Sequence, residues 1–172
     1  MHASKLDKTD FISRFGGVFE HSPWIARLVW DSGLTGVHDT APGLHERFGE
    51  IIRQSKREEK LALLRAHPEL AVQAISDEQL TASSRNEQRG AGLDRCSAEE
   101  YSEFRELNDS YREKFGFPFI MAVKGFDRHD ILASFRARIK NSGVEEFDSA
   151  LEQVIRIGWF RIDSIFTTTG KP

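Results

Sequence analysis

Apolar residues recur at steps of three and four positions along most of this chain, and this helical periodicity constrains the fold more than any other feature. The clearest case is the last segment, from Val144 to about Phe166, which predicts one long helix. At about 100° per residue, a single arc of that helix collects its apolar positions. These are Phe147, Leu151, Val154, Ile155, Gly158, Ile162 and Ile165. Such a face must be buried against other helices.

The same pattern predicts further helices upstream. They are expected over residues 9–19, from Pro23 onward, over 44–54, around Leu61 to Ala66, in a short stretch ending at Gly90 or Gly92, behind Ser97 up to Gly116, and over 130–141. Serine with glutamate three positions later predicts capping boxes at Ser55, Ser84 and Ser97. Ser22 before Pro23 and Gly116 have the residue types of an N-cap and a C-terminal cap.

Residues 117–123, FPFIMAV, are apolar, but their proline argues against a continuing helix. They could form a short strand, yet no other segment has a convincing strand pattern to pair with them. The sequence therefore predicts an all-α bundle of roughly seven to nine helices. Nothing indicates a linker or an internal repeat, so we expect one domain over residues 1–172, with flexible ends at about 1–8 and 168–172.

Bulk composition excludes several classes of protein. A net charge of −3 over 172 residues provides no basic footprint for nucleic acid. No apolar run reaches the roughly 18 residues that a membrane helix needs. The lone Cys96 cannot form an intramolecular disulfide, which suits a reducing compartment. We expect a cytoplasmic protein that binds neither nucleic acid nor membrane.

Motifs that bind metals or cofactors are missing. The six histidines include no HxH or HxxxH pair, and no cysteine pair exists, so a zinc site has little support. No glycine-rich phosphate loop and no GxSxG nucleophile motif occur. We therefore predict no metal and no cofactor.

His67, directly before Pro68, is the first candidate for chemistry. Because proline disfavours the helical conformation in the residue before it, His67 should lie at an accessible helix end or turn. An unperturbed imidazole titrates near neutral pH and can exchange a proton with a substrate. The alternative is a polar residue that simply terminates a helix.

Three other segments leave similar alternatives open. Ser84 and Glu87 have capping-box spacing, which leaves Gln88 as a side chain suited to a ureide or amide. Arg161 lies about 20° beyond Val154, at the edge of the last helix's apolar arc, where it could reach water or grip a carboxylate. The segment 117–123 could be core, or could offer backbone groups to a planar polar ligand.

Taken together, these segments resemble the 2-oxo-4-hydroxy-4-carboxy-5-ureidoimidazoline (OHCU) decarboxylase family. The resemblance runs from about Phe11 to Phe166, and its motifs are SPW at 22–24, HPEL at 67–70, SRNEQRGAGLD at 84–94 and ELNDSYREKFGFPFIMAVKG at 106–125. The KFGFPFI and EQ-x2-AGL runs are the specific ones. One departure is Glu69, where the family commonly has aspartate.

The resemblance implies an all-α, usually dimeric enzyme that decarboxylates a ureidoimidazoline to S-allantoin during urate breakdown, with neither metal nor organic cofactor. It implies the catalytic residues His67, Glu87 and Arg161. Arg156 is a nearby rival for the arginine, and only the helical phase favours Arg161. The implied substrate-binding residues are Pro68, Ser84, Gln88, Phe119, Ile120, Met121, Ala122 and Val123.

Two other functions use the same residues. A hydrolase of a related ureide or cyclic amide would activate water with these polar groups, and would usually need a metal. A helical interaction module without catalysis would expose a large apolar helix face, whereas the apolar arcs here suffice only to close one core.

Overall fold

Eight α-helices and three short 3-10 helices make up the described part of the chain, residues 1–71 and 80–169 of the computed structural model, and no strand occurs within those ranges. The α-helices are α1 (Lys8–Phe15), α2 (Pro23–Asp31), α3 (Ala41–Gln54), α4 (Arg57–Arg65), α5 (Ala82–Gly90), α6 (Ala98–Phe115), α7 (Arg128–Arg138) and α8 (Gly143–Thr169). The 3-10 helices are Ala3–Lys5, Gly36–Asp39 and Leu93–Arg95. The all-α prediction is confirmed. Within the described ranges, no helix is long and apolar enough to cross a bilayer.

The chain divides into two compact units. The first comprises residues 1–66 and those from 154 on, and thus takes the C-terminal half of α8. Aromatic rings form its core: Phe11 lies 4.8 Å from Phe15 between ring centroids, and Phe19 lies 5.8 Å from Phe48. All four rings are buried. This is the inward face that the spacing of apolar residues predicts.

The second unit comprises residues 67–153 and contains α5, α6, α7 and the first part of α8. Its core is centred on the Tyr111 ring, which packs edge-on against Phe117, Phe119 and Phe135. Phe119 is also stacked on Phe135, with 3.9 Å between ring centroids. The segment predicted to be neither helix nor paired strand, 117–123, contributes Phe117 and Phe119, and it has no regular secondary structure.

Several helix ends follow the sequence closely. The Ser97 capping box is confirmed, because Ser97 Oγ accepts from the Glu100 N–H at 3.2 Å and Glu100 Oε2 accepts from the Ser97 N–H at 2.7 Å. Gly116 ends α6 in the left-handed conformation, with φ +76°. Helix α4 stops at Arg65, two residues before the position that Pro68 restricts.

Two predicted ends are wrong. Helix α1 stops at Phe15 and does not reach Phe19, because two glycines, residues 16–17, follow and glycine is a poor helix former. The predicted capping box at Ser55 is displaced by one residue: the Lys56 N–H donates to Glu59 Oε2 at 2.8 Å. Ser55 instead closes α3, with its hydroxyl donating to the Ile51 carbonyl at 2.8 Å.

Side-chain caps also move two other helix starts. Helix α3 begins at Ala41 and not at Leu44, because Thr40 Oγ1 accepts from the Gly43 N–H. Helix α7 begins at Arg128, two residues earlier than predicted, because Asp127 caps it.

The N-terminal residues 1–8, expected to be a flexible end, include the 3-10 turn Ala3–Lys5. Ala3 is fully buried, and the Ser4 N–H donates to Asp39 Oδ1 at 2.8 Å. This backbone hydrogen bond lowers the pKa of the Asp39 carboxyl. At the other end, residues 170–172 lie outside the described part of the chain.

Candidate functional site

His67 begins the turn that follows α4, as Pro68 requires, but its side chain is buried and not accessible. Only 7% of His67 is exposed, and Leu70 and Ala71 are equally buried. Burial places the imidazole in a low-dielectric environment, where its electrostatic interactions are stronger than in water. The histidine is therefore buried and is not a solvent-facing helix terminator.

Three side chains hold the turn from Glu69 to Ala71. Gln88 Nε2 donates to the Glu69 carbonyl and Gln88 Oε1 accepts from the Ala71 N–H, both at 3.1 Å. Asn108 Nδ2 donates to the Leu70 carbonyl at 3.0 Å. Arg112 forms an ion pair with the Glu69 carboxylate. Both ends of the Gln88 amide, predicted to bind substrate, thus bond to this backbone.

Helix α5 presents three of the predicted site residues on one face, because positions three and four apart are neighbours on a helix. Ser84 is buried, and Glu87 and Gln88 are half-buried. The prediction that Ser84 caps this helix is wrong. The helix begins earlier, and Thr81 Oγ1 accepts from the Ser84 N–H at 3.3 Å. The Ser84 side chain therefore does not serve as the N-cap.

The segment 119–123 is almost entirely buried, with Met121 half-buried. Arg138 Nη1 donates to the Ile120 carbonyl at 2.7 Å, and the Ala122 N–H donates to Gln153 Oε1 at 3.0 Å. The carbonyl of Val123 accepts from the Phe126 N–H at 3.0 Å. Side chains from α7 and α8 therefore fix the backbone of an irregular apolar segment.

The buried carboxylate of Glu146 bonds to Arg138, the residue that donates to the Ile120 carbonyl. Sequence analysis did not predict it. Glu146 is fully buried and accepts from Arg138 Nη2 at 2.5 Å, from Asn141 Nδ2 at 2.7 Å and from the Tyr111 hydroxyl. Burial, and next the hydrogen bond to Glu146, raise the pKa of the Tyr111 phenol. The Arg138 guanidinium also lies 4.6 Å from the centroid of the Phe119 ring.

Nothing in the sequence singled out Glu146. At about 100° per residue it lies about 80° beyond Val154, outside the apolar arc predicted for α8. Its burial depends on tertiary contacts with Arg138, Asn141 and Tyr111, which periodicity cannot predict.

Arg161 belongs to the first unit, in the C-terminal half of α8. It is buried, and its Nη1 lies 3.1 Å from Glu20 Oε1 and donates to the Val18 carbonyl at 3.1 Å. Arg156, its rival, is exposed. Helical phase favours Arg161 over Arg156, and it is the Arg161 guanidinium that the protein holds in place.

The structure therefore brings together the His67–Ala71 turn and the Gln88 side chain of α5, within the second unit. The segment 119–123 lies in the same unit, and α6 contacts both, through Asn108 and Tyr111. Across residues 1–71 and 80–169, no group of three or more His, Cys, Asp or Glu side chains is arranged to hold a metal ion.

Comparisons with known proteins give one consistent result. The family model described as OHCU decarboxylase matches residues 4–163. A 2-oxo-4-hydroxy-4-carboxy-5-ureidoimidazoline decarboxylase from Halalkalicoccus jeotgali is 37% identical over 94% of this chain and 88% of its own length. The uric acid degradation bifunctional protein PucL of Bacillus subtilis is 35% identical over 98% of this chain, which matches 33% of PucL.

Solved structures agree. The crystal structure of an (S)-allantoin synthase has a TM-score of 0.72 and 30% identity, covering 95% of this chain and 52% of that one. A crystal structure of an OHCU decarboxylase in the presence of (S)-allantoin has a TM-score of 0.68, covering 84% of this chain and 91% of that one. At 23% identity, this second similarity is one of fold.

Proposed function

The chain belongs to the OHCU decarboxylase family, and from this premise we propose that it converts 2-oxo-4-hydroxy-4-carboxy-5-ureidoimidazoline to S-allantoin and carbon dioxide in urate degradation. The observation that carries the proposal is the family match over residues 4–163, which includes His67, Glu87, Arg161 and the segment 119–123. Burial of His67, in the turn that Gln88 of α5 contacts at Glu69 and Ala71, supports it, because exclusion of water strengthens electrostatic stabilisation of developing charge.

The substrate determines what such a site must do. The reacting carbon bears a carboxylate and a hydroxyl, and a neighbouring C=N can accept an electron pair. As the carbon–carboxylate bond breaks, its electron pair forms a C=C bond and the C=N pair moves onto nitrogen, which takes a proton. The hydroxyl of the resulting enol then loses its proton while the adjacent carbon gains one from a single face. The reaction consumes one proton overall and releases carbon dioxide.

Three side chains are proposed as catalytic. His67 contacts the hydroxyl and carboxylate, stabilises the developing charge and handles the proton. Glu87 orients the hydroxyl or the ureido N–H and tunes His67. Arg161 anchors a carbonyl or carboxylate oxygen through its guanidinium group.

The proposed binding surface comprises Pro68, Ser84, Gln88 and backbone groups of Phe119 to Val123. The Ile120 carbonyl and the Ala122 N–H already bond to protein side chains. The N–H groups of Ile120, Met121 and Val123 are therefore the ones proposed to hold the ureido and imidazoline edges.

Cofactor independence is also part of the proposal. The C=N of the substrate itself accepts the electron pair, so the reaction needs no external electron sink. We further propose a homodimer, as in the family, and a cytoplasmic location, which the lone Cys96 suits.

The test generates the unstable substrate from urate with uricase and hydroxyisourate hydrolase, then adds this protein with a chelator present. Circular dichroism follows the formation of optically active allantoin against the racemic spontaneous product, and carbon dioxide release is measured in parallel. We expect rapid S-allantoin formation and a loss on the order of 10²-fold or more in His67→Ala. His129→Ala, at an exposed histidine, is the matched control.

Each alternative result has a clear reading. Nitrogenous product without carbon dioxide would indicate a ureide hydrolase. No rate above the spontaneous one from folded protein would overturn the enzyme assignment. Near-full activity in His67→Ala would remove the histidine from the mechanism while leaving the reaction in place.

A further inference from the structure

We infer that Arg138 and Gln153 are positioning residues that fix the two peptide groups flanking Met121, so that the Met121 N–H is presented to the substrate. The inference rests on the proposed function, because this N–H is one of those proposed to bind the substrate. Two hydrogen bonds between side chains and backbone carry it. Arg138 Nη1 donates to the Ile120 carbonyl at 2.7 Å. On the other side of Met121, Gln153 Oε1 accepts from the Ala122 N–H at 3.0 Å.

The planarity of the peptide bond determines where the polar groups of Met121 point. No peptide bond of the described residues is cis, and in a trans peptide group the C=O and the N–H point in opposite directions. Since the Ile120 carbonyl points at Arg138, the Met121 N–H points away from Arg138. Since the Ala122 N–H points at Gln153, the Met121 carbonyl points away from Gln153. Met121 itself is half-buried between two buried neighbours.

Arg138 can hold the Ile120 carbonyl because its own guanidinium has a fixed orientation. Its Nε and Nη2 donate to one oxygen of the Glu146 carboxylate, at 3.0 and 2.5 Å. The planar fork then directs Nη1 to the carbonyl. The guanidinium also lies 4.6 Å from the centroid of the Phe119 ring, in the same segment. A lysine has a single nitrogen and lacks the fork that separates these contacts.

The Glu146 carboxylate is held in place by two further side chains. The Tyr111 hydroxyl donates to its Oε1, and Asn141 Nδ2 donates to its Oε2 at 2.7 Å. The Glu146 side chain is fully buried, so water does not replace these partners. A connected polar network of the second unit therefore ends at the Ile120 carbonyl, through Arg138.

The alternative is a buried ion pair that only stabilises the fold. The double variant Arg138→Met/Glu146→Leu distinguishes the two explanations. Apolar residues can replace a buried ion pair with little loss of stability, but they cannot donate to the Ile120 carbonyl. The matched control is Arg136→Met, at an exposed position of the same helix. Melting curves and near-ultraviolet circular dichroism establish that each variant folds.

Gln153 supplies a second, independent set of variants. Gln153→Met keeps the side-chain length and removes the acceptor for the Ala122 N–H, whereas Gln153→Glu keeps an acceptor there. The matched control is Glu152→Met, at the exposed neighbouring position. Gln153→Met changes no charge, so it provides the test even if the double variant does not fold.

The sequence offers a direct probe of the Met121 N–H. Expressed as residues 1–172, the chain has two methionines, and Met1 at its N-terminus has no peptide N–H. Labelling with ¹⁵N-methionine therefore gives one backbone amide signal in a nuclear magnetic resonance spectrum, and this signal belongs to Met121. We expect it to shift when S-allantoin, the proposed product, is added to the wild-type protein.

The variants should weaken binding more than they slow the chemical step. In Arg138→Met/Glu146→Leu and in Gln153→Met, the affinity for S-allantoin should fall about tenfold, the loss expected for one hydrogen bond. KM should rise by a similar factor while kcat changes less than about threefold, since this contact is made in the ground state and in the transition state alike. Gln153→Glu should retain part of the affinity, and both controls should match the wild type.

Several results would overturn the inference and leave the proposed function standing. One is a double variant and a Gln153→Met variant that both bind S-allantoin within twofold of their controls. Another is a Met121 signal that does not move with S-allantoin while the wild-type enzyme is active. A third is a loss of kcat at unchanged KM. A wild-type protein that forms no S-allantoin overturns the proposed function, and the positioning role with it.

Discussion

Asn108 and Tyr111 lie three positions apart on α6 and secure two different irregular segments of the second unit. Asn108 donates to the Leu70 carbonyl in the turn after α4, at 3.0 Å. The Tyr111 ring packs edge-on against Phe119, with 5.5 Å between centroids, and its hydroxyl donates to Glu146. One turn of one helix thus connects the two segments that the proposed site needs.

We expect that removing one member of the buried Glu146–Arg138 ion pair destabilises the fold more than replacing both members with apolar residues. Glu146→Gln leaves the Arg138 guanidinium, 14% exposed, without its buried carboxylate, and should lower the free energy of unfolding by about 3–5 kcal/mol. Urea denaturation measures the loss. The double variant Glu146→Leu/Arg138→Met should lose less than Glu146→Gln alone, because it removes both charges. An equal or larger loss in the double variant would show that the pair itself is strongly stabilising.

Alkaline stability should depend on the two tyrosines. Burial raises the pKa of Tyr101, and burial together with the Glu146 hydrogen bond raises that of Tyr111. The unfolded chain therefore ionises first, near pH 10, so each phenol contributes stability below that pH and loses it above, at up to about 1.4 kcal/mol per pH unit.

The measurement is a base titration of Tyr101→Phe, which leaves Tyr111 as the single tyrosine. Tyrosinate absorbance should appear together with the loss of helical circular dichroism. Ionisation of Tyr111 in a protein that is still fully helical would contradict the burial of its hydroxyl against Glu146.

Helical periodicity predicted the fold class and much of the α8 face, because burial of a helix follows directly from the spacing of its apolar residues. Phe147 and Ile162, both assigned to its apolar arc, are buried. The helix ends were predicted where a single local interaction decides them, as at Ser97. They were missed where two candidates compete, since Thr81 and Ser84 are both good N-cap residues.

The site was harder, because polar partners are set by tertiary contacts. Gln88 follows Glu87 in a helix and has the same character whether it binds a ureide or a peptide group. Its hydrogen bonds to the Glu69–Ala71 backbone, seventeen to nineteen residues away in sequence, could not be predicted from the local sequence. The burial of His67 likewise depends on packing around a turn that has no periodicity of its own.

Arg161 and Arg156 should behave very differently. Arg161→Ala removes the guanidinium beside the buried Glu20 and should lower the free energy of unfolding by about 3–5 kcal/mol, whereas Arg156→Ala, at an exposed position, should change it by less than about 0.5 kcal/mol. Arg161→Lys separates stability from activity. It keeps the charge but lacks the planar fork, so it should retain more stability than Arg161→Ala while still losing activity at least about tenfold.

Denaturation and S-allantoin formation are measured on the same preparations of all three variants. Wild-type activity in Arg161→Lys would show that the role of Arg161 is its ion pair with Glu20 and not the anchoring of substrate. A loss of activity in Arg156→Ala would transfer the anchoring role to that residue.

Gly158 should be required because Phe19 leaves no room for a methyl group. A Cβ at Gly158 would lie 2.5 Å from Phe19 Cζ and 2.8 Å from Cε1, and the ring is buried, so it cannot swing into water. Overpacking of this kind lowers the free energy of unfolding by about 1–3 kcal/mol. The better helix propensity of alanine returns at most about 1 kcal/mol, so Gly158→Ala should be destabilising overall.

Gly90→Ala is the matched control, since a Cβ there meets nothing within 4 Å. It lies at the end of α5 and should be neutral or stabilising by up to about 1 kcal/mol. Thermal and urea unfolding compare the two variants. Adding Phe19→Leu to Gly158→Ala should restore part of the lost stability, because the smaller side chain makes room for the methyl group. If Gly158→Ala were as stable as Gly90→Ala, the Phe19 ring would have to move freely, and the close packing of α8 against it would be wrong.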